Sequence, residues 1–314
     1  MNRLKWAQII CPVFPPLISQ SIRNLIFPRK LAIQMAVDFT KKSVTGSCFK
    51  GNTLDFHEYP FSVHGFFDWR NIILAHFFLK NTKGDIIEIG ANVGTETIGY
   101  SDILYHKGNL HAFEPLPMNV DSLQRLVNKK ENIKIYPCAI SNTKGNAKFL
   151  VPPNTLSGIG TIVSQNILKP ELESIIVQTA RLDDYIDEFK TVRFISIDTE
   201  GHEPYVLEGS LKTIARFRPA IVLEVSPKLL KKVADKTIED IYSFFNQCHY
   251  ICYRISRFSV NKININDLQV SVSSNWLCLP KESHLKIKAI NRVLLKRTVI
   301  PWYILPSLCK YSTK

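Results

Sequence analysis

One short segment constrains the fold of this 314-residue chain more than any other. Residues 85–89 form an apolar run typical of a strand, and residues 95–105 have the apolar spacing of a helix. The turn between them, residues 88–94, reads EIGANVG, and its glycines permit a sharp backbone turn that passes close to a ligand. The helix that follows would direct unpaired amide groups at that ligand. The segment therefore predicts a strand, a ligand-binding turn and a helix.

Strands and helices alternate along most of the chain. This alternation predicts an α/β, Rossmann-like fold with a mostly parallel, seven-stranded, doubly wound sheet, which binds its ligand beyond the carboxyl ends of the strands. We place this domain at residues 71–280, between an N-terminal extension over 1–70, which would cap the substrate side, and a basic C-terminal tail over 281–314. The predicted strands are 85–89, 109–113, 133–140, 192–197, 220–225, 250–255 and 276–279, the predicted helices are 95–105, 119–129, 182–189, 204–215 and 237–246, and a hairpin-like excursion spans 147–177.

Two acidic residues beside the glycine turn indicate the kind of ligand. Glu88 lies two positions before Gly90, where it would repel the pyrophosphate of a dinucleotide but would bind the ammonium group of a methionine moiety. Glu114 closes the second strand 24 residues after Gly90, and a carboxylate at this place can accept both hydroxyls of a ribose. These acids favour S-adenosylmethionine over NAD as the cofactor. We expect Gly90, Asn92 and Gly94 to form the turn around it.

Several sequence blocks, in the same order along the chain, resemble the FkbM family of methyltransferases. They cover about residues 84–227 and depart from the family at Glu88, where aspartate is common, and at Ser196, where lysine often stands. The resemblance implies a class I methyltransferase domain that binds S-adenosylmethionine, with Ala139 as a further cofactor contact. It also implies O-methyl transfer to a hydroxyl of a sugar, a glycan, a glycolipid or a polyketide-like small molecule. The blocks are residues 88–94, 112–119, 138–141, 181–185, 194–209 and 220–227.

Three polar side chains that follow the fourth predicted strand are the candidate catalytic residues. Asp198, Glu200 and His202 alternate, so an extended chain would place them on one face beside the cofactor. Methyl transfer to a hydroxyl requires alignment of the acceptor and removal of its proton, and Asp198 and His202 are both candidates for the base. In the other interpretation, Asp198 and Glu200 only cap the helix that begins near Glu203. Glu224, which ends the fifth strand, either contacts substrate or is structural.

The sequence predicts no metal site and no secretion signal. Its seven cysteines form no Cys-x-x-Cys pair, and Cys248, His249 and Cys252 lack the second ligand pair of a zinc site. An Asp/Glu/His cluster after the fourth strand could bind a divalent ion, but we do not expect one. No window reaches the roughly 18 apolar residues of a membrane-spanning helix. Prolines interrupt the apolar run over residues 6–18, so we expect a cytoplasmic protein with reduced thiols.

The net charge of +13 is unevenly distributed, because residues 85–225 are mildly acidic and both flanks are basic. Basic flanks suit a nucleic acid, an anionic membrane or an acidic substrate, and they are also ordinary for a solvated surface. We expect no nucleic-acid partner, since Asp198-Thr-Glu-Gly replaces the Pro-Pro turn of amino-methylating enzymes and no RNA-binding signature is present. A nucleotide-sugar dehydrogenase or epimerase is an alternative, but the Tyr-x-x-x-Lys pair of such enzymes is absent. A non-catalytic membrane-surface protein is another, which the intact turn and Glu114 disfavour.

The C-terminal tail suggests a membrane contact. Residues 285–306 have apolar side chains at helical spacing, basic residues between them and Trp302 and Tyr303 near the end, as in an interfacial helix on an anionic inner membrane surface. Residues 3–10 would add a second contact. In the other interpretation, the stripe packs on the protein's own sheet or on a second subunit, and the sequence leaves the oligomeric state open. The apolar stripe consists of Leu285, Ala289, Val293 and Leu294, and the N-terminal contact of Arg3, Lys5, Trp6, Ile9 and Ile10.

Overall fold

The computed structural model describes residues 3–127, 130–151, 160–162, 173–264, 266, 272–305 and 308. Short helices and one hairpin precede the central sheet. The last of these helices, Trp69–Leu79, packs against the sheet. The N-terminal elements are α1 (Arg3–Ile10), α2 (Pro16–Ile26), α3 (Arg29–Met35), β1 (Asp38–Lys42), β2 (Cys48–Asn52), α4 (Glu58–His64) and α5 (Trp69–Leu79).

Strands and helices alternate from residue 85 onward, as the sequence predicts. The elements are β3 (Asp85–Ile89), α6 (Thr97–Ile103), β4 (Leu110–Phe113), α7 (Pro117–Val127), β5 (Ile133–Tyr136), β6 (Ala139–Ile140), β7 (Gly145–Leu150), β8 (Thr161–Ile162), β9 (Ser174–Ala180), β10 (Val192–Ile197), α8 (Glu203–Glu208), α9 (Leu211–Phe217), β11 (Ala220–Val225), α10 (Pro227–Leu229), α11 (Ile238–Gln247), β12 (Tyr250–Ile255), β13 (Val260–Lys262), β14 (Ser274–Pro280) and α12 (Ile287–Val299). Short 3₁₀ helices span Cys11–Val13, Leu182–Glu188, Lys281–Lys286 and Trp302–Ile304, and a π-helical turn spans Leu230–Ala234.

The central sheet confirms the predicted α/β, doubly wound fold. Over the described residues it has eight strands in the order β13-β12-β14-β11-β10-β3-β4-β5. The strands from β11 to β5 are parallel. The strand β14 runs antiparallel to both of its neighbours, β11 and β12, and so is reversed within the sheet, as in a class I methyltransferase. The predicted count of seven strands is wrong because β13 adds an eighth. Only Val260 of its three residues is buried, so β13 is too short to give an alternating pattern.

Two predicted elements are divided in the structure. The strand predicted at residues 133–140 ends at Tyr136, because Pro137 has no N–H for the ladder, and β6 then joins a second sheet with the order β6-β9-β7-β8. The helix predicted at residues 204–215 divides into α8 and α9 at Gly209, where a Cβ atom would lie 2.0 Å from the carbonyl oxygen of Ser141.

The hairpin-like excursion predicted at residues 147–177 is confirmed in its two long strands. The strands β7 and β9 pair antiparallel, with Leu150 opposite Ser174. The Pro152-Pro153 and Ser157–Gly160 parts of this prediction fall in or beside residues 152–159, which lie outside the described residues, as do residues 163–172.

Both faces of the central sheet are covered. Successive residues of β10 face different apolar clusters, since Ile195 and Ile197 belong to one and Phe194 to the other. In the neighbouring strand β3, Ile87 likewise belongs to the first cluster and Ile86 to the second. Parallel strands covered on both faces read as continuous apolar runs, which is why their bounds could be predicted closely. The polar groups that do occur near their carboxyl ends are therefore exceptional.

The last helix buries only part of the predicted apolar stripe. Ile290, Leu294 and Thr298 of α12 are buried, and the helix packs against α5 and α2. Of the predicted stripe, Leu294 is buried, Val293 is half-buried and Ala289 is exposed, whereas the side chain of residue 285 is outside the description, as is that of residue 303. Leu294 and Val293 thus have the alternative arrangement, in which the stripe packs on the chain itself, whereas Ala289 does not. Across the described residues, none of the helices combines the length and the apolar character that crossing a bilayer requires.

One residue of the resembled blocks has a structural role that leads to a prediction. Asp183 accepts hydrogen bonds from the backbone N–H of Lys212 (2.9 Å) and of Thr213 (2.8 Å), so it caps α9 from outside that helix. We expect Asp183→Ala to lower the free energy of unfolding by about 1–2 kcal/mol, as the loss of a helix cap does. Urea denaturation measures this change. The control is Asp187→Ala, whose side chain is 96% exposed and should not matter; equal stability of the two variants would contradict the capping role.

Candidate active site

A cavity opens at the carboxyl ends of β3, β4 and β10, where ligands bind in doubly wound sheets. The structure brings most of the predicted site residues together around it. Of the predicted set, only Gly94 and Glu200 do not line it directly. The predicted residues that line the cavity are Glu88, Gly90, Asn92, Glu114, Ala139, Asp198 and His202.

The glycines of the turn are required by contacts within the protein. Gly90 has a φ of 85°, and a Cβ atom there would lie 1.9 Å from the carbonyl oxygen of Asp198. Gly94 has a φ of 90°, and its Cβ would lie 2.4 Å from a methyl group of Leu126 on α7. Asn92 is also left-handed, with a φ of 50°. The sequence indicated correctly that a side chain does not fit at these glycines, but the neighbour it would strike is protein.

Glu114 stabilises the turn and keeps capacity for a ligand. Its carboxylate accepts hydrogen bonds from the backbone N–H of Asn92 (2.8 Å) and of Leu116 (3.0 Å), and from the side-chain amide of Asn119 (3.2 Å). Asn119 also donates to the side-chain oxygen of Asn92 at 3.0 Å. A carboxylate has about four acceptor positions, so one remains for a ribose hydroxyl. Burial raises the pKa of Glu114, and the two backbone hydrogen bonds oppose that rise.

Buried carboxyl groups give the cavity a strong preference for a cation. Glu88 is 4% exposed, and its Oε2 has no hydrogen-bond partner among the described residues. Burial raises the pKa of Glu88 well above its usual range, and the nearby Glu96 and Glu114 raise it further. Burial and Asp68 raise the pKa of Glu96 to about 8, although it accepts hydrogen bonds from Tyr100 and Asn71. Among the described residues, no lysine or arginine lines the cavity.

The N-terminal extension contributes two aromatic side chains that sequence reasoning missed. His57 and Phe67 both line the cavity, with ring centroids 4.3 Å apart. The His57 Nδ1 atom lies 3.2 Å from the side-chain nitrogen of Asn92, and burial lowers the pKa of the imidazole. Both residues lie outside the resembled blocks, in a segment without clear periodicity. No signal in the sequence could have assigned them to the cavity.

Three carboxyl groups meet near the carboxyl ends of β10 and β11. One oxygen atom each of Asp198, Glu200 and Glu224 lie within 4.8 Å of one another. Asp198 is exposed to the cavity. The protein atoms around its carboxyl group, then Glu224 and Glu200, raise its pKa well above the usual range. Burial and Glu224 raise the pKa of Glu200 to about 7. Glu224 approaches Asp198 because β11 lies beside β10, so the strand order explains a residue whose role the sequence left open.

The loop after β10 is held by a residue to which the sequence gave no functional role. Glu203 accepts hydrogen bonds from the backbone N–H of Thr199 (2.9 Å) and of Gly201 (3.2 Å), and so fixes the loop that carries Asp198. The residue at the N-cap of α8 is His202, and its side chain makes no capping hydrogen bond. The capping interpretation of Asp198 therefore has no support in these contacts.

His202 is poorly suited to accept a proton. Its Nε2 atom lies 3.1 Å from the hydroxyl oxygen of Ser141, and its ring is 4.8 Å from that of Tyr205. The side chain is almost completely buried, which lowers the pKa of the imidazole to about 4. At neutral pH it is uncharged and a much weaker base than a carboxylate whose pKa is raised. We therefore favour Asp198 over His202 as the base.

Comparison with known proteins identifies the family. The model of the methyltransferase FkbM domain matches residues 88–252, which is more than half of the chain. The fold and the cavity define a class I methyltransferase whose cofactor is S-adenosylmethionine. More particularly, the chain belongs to the FkbM methyltransferase family. No curated protein matches the sequence significantly.

Several solved structures are similar in fold at low sequence identity. The methyltransferase FkbM from Methylobacillus flagellatus is 11% identical, with a TM-score of 0.42 over 88% of this chain and 58% of that one. This chain therefore spans less than two thirds of that protein. Fibrillarin from Aeropyrum pernix, solved with bound S-adenosyl-L-methionine, is 10% identical, with a TM-score of 0.36 over 67% of this chain and 76% of that one. A putative O-methyltransferase from Klebsiella pneumoniae is 9% identical, with a TM-score of 0.39 over 68% and 81%.

The residues around the cavity fit this cofactor. The unpaired Oε2 atom of Glu88 is a buried acceptor of the kind that an ammonium group needs, and Glu114 retains an acceptor position for a ribose hydroxyl. S-adenosylmethionine also carries a positively charged sulfonium, which suits a cavity lined by acids and, in its described part, by no lysine or arginine. The unpaired acceptor atom of Glu88 and the acidic lining of the cavity thus both suit a positively charged cofactor.

The contact at Glu88 leads to a prediction for cofactor binding. Glu88→Gln keeps the size of the side chain but removes its charge, and we expect S-adenosylmethionine to bind at least about tenfold more weakly, as on the loss of a charged hydrogen bond. Isothermal titration calorimetry measures the affinity. The melting temperature should not fall, because the variant no longer buries an ionisable group. Unchanged affinity in a folded variant would place the ammonium group elsewhere.

The raised pKa values predict that cofactor binding releases protons. At pH 7 Glu96, with a pKa of about 8, is mostly protonated in the cofactor-free protein, and a bound cation favours its ionised form. Affinity should therefore increase as the pH rises through about 8, and calorimetry in two buffers of different ionisation enthalpy should detect proton release. Glu96→Gln should reduce that release. Proton uptake, or the same release from this variant, would contradict the assignment.

Proposed function

We propose that this chain transfers a methyl group from S-adenosylmethionine to a hydroxyl oxygen of a sugar, a glycan, a glycolipid or a polyketide-like small molecule. The observation that carries the proposal is Asp198, a carboxyl group of raised pKa that opens into the same cavity as Glu88 and Glu114. A hydroxyl acceptor needs such a group, because it is a weak nucleophile until its proton is removed.

The residues around Asp198 suit it to the role of general base. The cofactor supplies a methyl group already activated by attachment to a sulfonium. Asp198 would accept the proton of the acceptor hydroxyl while the methyl carbon passes from sulfur to the hydroxyl oxygen, so that the broken S–C bond leaves a neutral thioether and the proton ends on the carboxylate. Enclosure by protein atoms, then the neighbouring Glu224 and Glu200, raise the pKa of Asp198, which makes its ionised form a stronger base than an ordinary carboxylate. Glu203 fixes the loop, so Asp198 keeps its place against the cofactor turn.

The N-terminal extension, residues 1–70, completes the site in this proposal as a cap on the substrate side. His57 and Phe67 support it, because both line the cavity from outside the methyltransferase domain, which we place at residues 71–280. Their flat rings suit contact with the face of a sugar ring or of a nucleobase. Residues 281–314 form a separate tail in this division.

The alternative functions fit the cavity less well. A nucleotide-sugar dehydrogenase or epimerase would have to bind a pyrophosphate beside Glu88 and Glu96, in a cavity whose described lining has no lysine or arginine. A non-catalytic protein that kept the fold would have no use for Asp198, Glu200 and Glu224 placed together with raised pKa values. Buried carboxyl groups with perturbed pKa values cluster at functional sites.

The role of Asp198 can be tested with the isosteric variant Asp198→Asn. We expect turnover to fall by about 10²–10⁴-fold, the usual contribution of a general base, while cofactor affinity and melting temperature are maintained. The assay follows label from tritiated S-adenosylmethionine into glycan and glycolipid extracts of the host. The label should resist mild alkali, because a methyl ether does so and a methyl ester does not.

A matched surface variant completes the design. Asp187→Asn changes a carboxylate whose side chain is 96% exposed, and it should behave like the parent in every measurement. Normal turnover of Asp198→Asn would exclude Asp198 as the base. Alkali-labile label would show that the acceptor is a carboxylate, contrary to the proposed O-methylation of a hydroxyl.

A further inference from the structure

The first helix has apolar side chains on the face that the protein does not cover. Leu4 and Ala7 of α1 are buried in an apolar cluster, whereas Trp6 and Ile9 on the other side of the helix are 49% and 58% exposed. Trp6 and Ile9 are three residues apart and so lie beside each other on the helix surface. An exposed tryptophan next to an exposed isoleucine is not needed to fold α1, because its other face already packs on the protein.

The exposed apolar surface continues beyond α1. The 3₁₀ helix Cys11–Val13 follows α1 directly and contacts the 3₁₀ helix Trp302–Ile304, so the two ends of the chain meet here. Each of these helices, and the start of α2, adds large exposed side chains. We call the following set the apolar patch: Trp6, Ile9, Val13, Phe14, Ile18 and Ile304.

Basic side chains and no acids accompany the apolar patch in the sequence. Residues 1–37 and 283–314 contain no aspartate or glutamate. Helix α12 buries Ile290 and Leu294, and so its opposite face exposes Lys288, Arg292 and Lys296, which recur every fourth residue. The patch and these residues belong to neighbouring elements, because α12 packs against α2. The apolar patch and the exposed positive charges thus lie on elements that contact each other.

We propose that the apolar patch and the exposed basic face of α12 bind the surface of an anionic phospholipid membrane. Large exposed apolar patches mark interaction sites, and a tryptophan with aliphatic residues beside lysine and arginine is typical of interfacial contacts. Two copies of this chain would bring the same positive charges together, which opposes self-association through this face. A nucleic acid would use the charges but not the apolar patch. An anionic bilayer uses both.

The position of the patch also bears on how an acceptor reaches the cofactor. A second cavity is lined by Ile18 and Asn24 of α2, by Phe67 and by Arg70 and Arg257. Ile18 belongs to the apolar patch, and Phe67 also lines the cofactor cavity. An acceptor carried on a lipid at the patch would therefore enter beside the cofactor cavity. This choice of a lipid-linked acceptor rests on the proposed function, whereas the membrane contact itself does not.

Vesicle binding of the full chain tests the membrane contact. We expect co-sedimentation with vesicles of equal parts phosphatidylglycerol and phosphatidylcholine, and little with phosphatidylcholine alone. The double variant Trp6→Ser and Ile9→Ser should lose binding. The control Ile176→Ser replaces an isoleucine that is 69% exposed on β9, away from the patch, and should bind like the parent.

The charged face has its own variant. Arg292→Gln combined with Lys296→Gln should weaken binding to the anionic vesicles by about thirtyfold, the fold-change that corresponds to roughly 1 kcal/mol for each of two charges. All variants should bind S-adenosylmethionine like the parent in calorimetry, which shows that they are folded. Tryptophan fluorescence gives a second readout, because Trp69 and Trp276 are buried, Trp302 is half-buried and Trp6 is half-exposed. Brominated phosphatidylglycerol should therefore quench the parent more than the variant that lacks Trp6.

Three results would overturn the proposal. They are equal binding to both kinds of vesicle, no binding to either, and binding that the Trp6 and Ile9 changes leave intact. Light scattering that shows a dimer which the same changes dissociate, without vesicle binding, would assign the patch to a second copy instead. Failure of the proposed methyl transfer would leave vesicle binding unchanged, so the two proposals fail separately.

Discussion

The contact between the turn after β3 and the loop after β10 is the constraint on which the rest of the site depends. Asp198 donates its backbone N–H to the carbonyl of Ile89 at 3.0 Å, and its own carbonyl would be 1.9 Å from a Cβ atom at Gly90. Only glycine permits this approach. Because the two strands are parallel neighbours, the contact joins the cofactor turn to the loop that carries the proposed base. A shift of either segment would separate the methyl donor from the proton acceptor.

How much the sequence could predict depends on the range of the interaction that forms each feature. The strands β3, β10 and β11 are buried on both faces, so their apolar runs predicted their bounds, and the acids at their ends followed. His57 could not be predicted, because its place beside Asn92 is set by the packing of a segment 35 residues away. The eighth strand was missed because it is too short: three residues are too few to show the alternation of apolar and polar side chains that indicates a strand. Glu203 was read only as the start of a helix, and its hydrogen bonds to the preceding loop are visible only in three dimensions.

The acids of the cavity oppose folding and favour function at the same time. Enclosing a carboxyl group without a cation beside it is unfavourable, so the pKa values of Glu88, Glu96 and Asp198 rise. That of Glu96 reaches about 8, so at neutral pH it holds a proton in place of the missing cation. A positively charged cofactor reverses this, because it stabilises the ionised forms. The protein thus gives up stability in the cofactor-free state for affinity in the bound state. Departures from ordinary burial rules of this kind are expected at functional sites.

The net charge of +13 does not indicate the charge of the site, because the charges of this protein are distributed unevenly. The positive charge lies mainly in the flanking segments, and the described lining of the cavity between them has none, so a cation and an anionic surface are attracted to different parts of one molecule. The positive potential of the flanks does not offset the negative charge of the cavity. Exposed charges are screened within about 8 Å at physiological ionic strength, whereas the buried acids are not. A basic protein can therefore hold a cationic cofactor at its centre and, in our proposal, an anionic membrane at its edge. The apolar patch decides the second partner, since charge alone would not distinguish a bilayer from a nucleic acid.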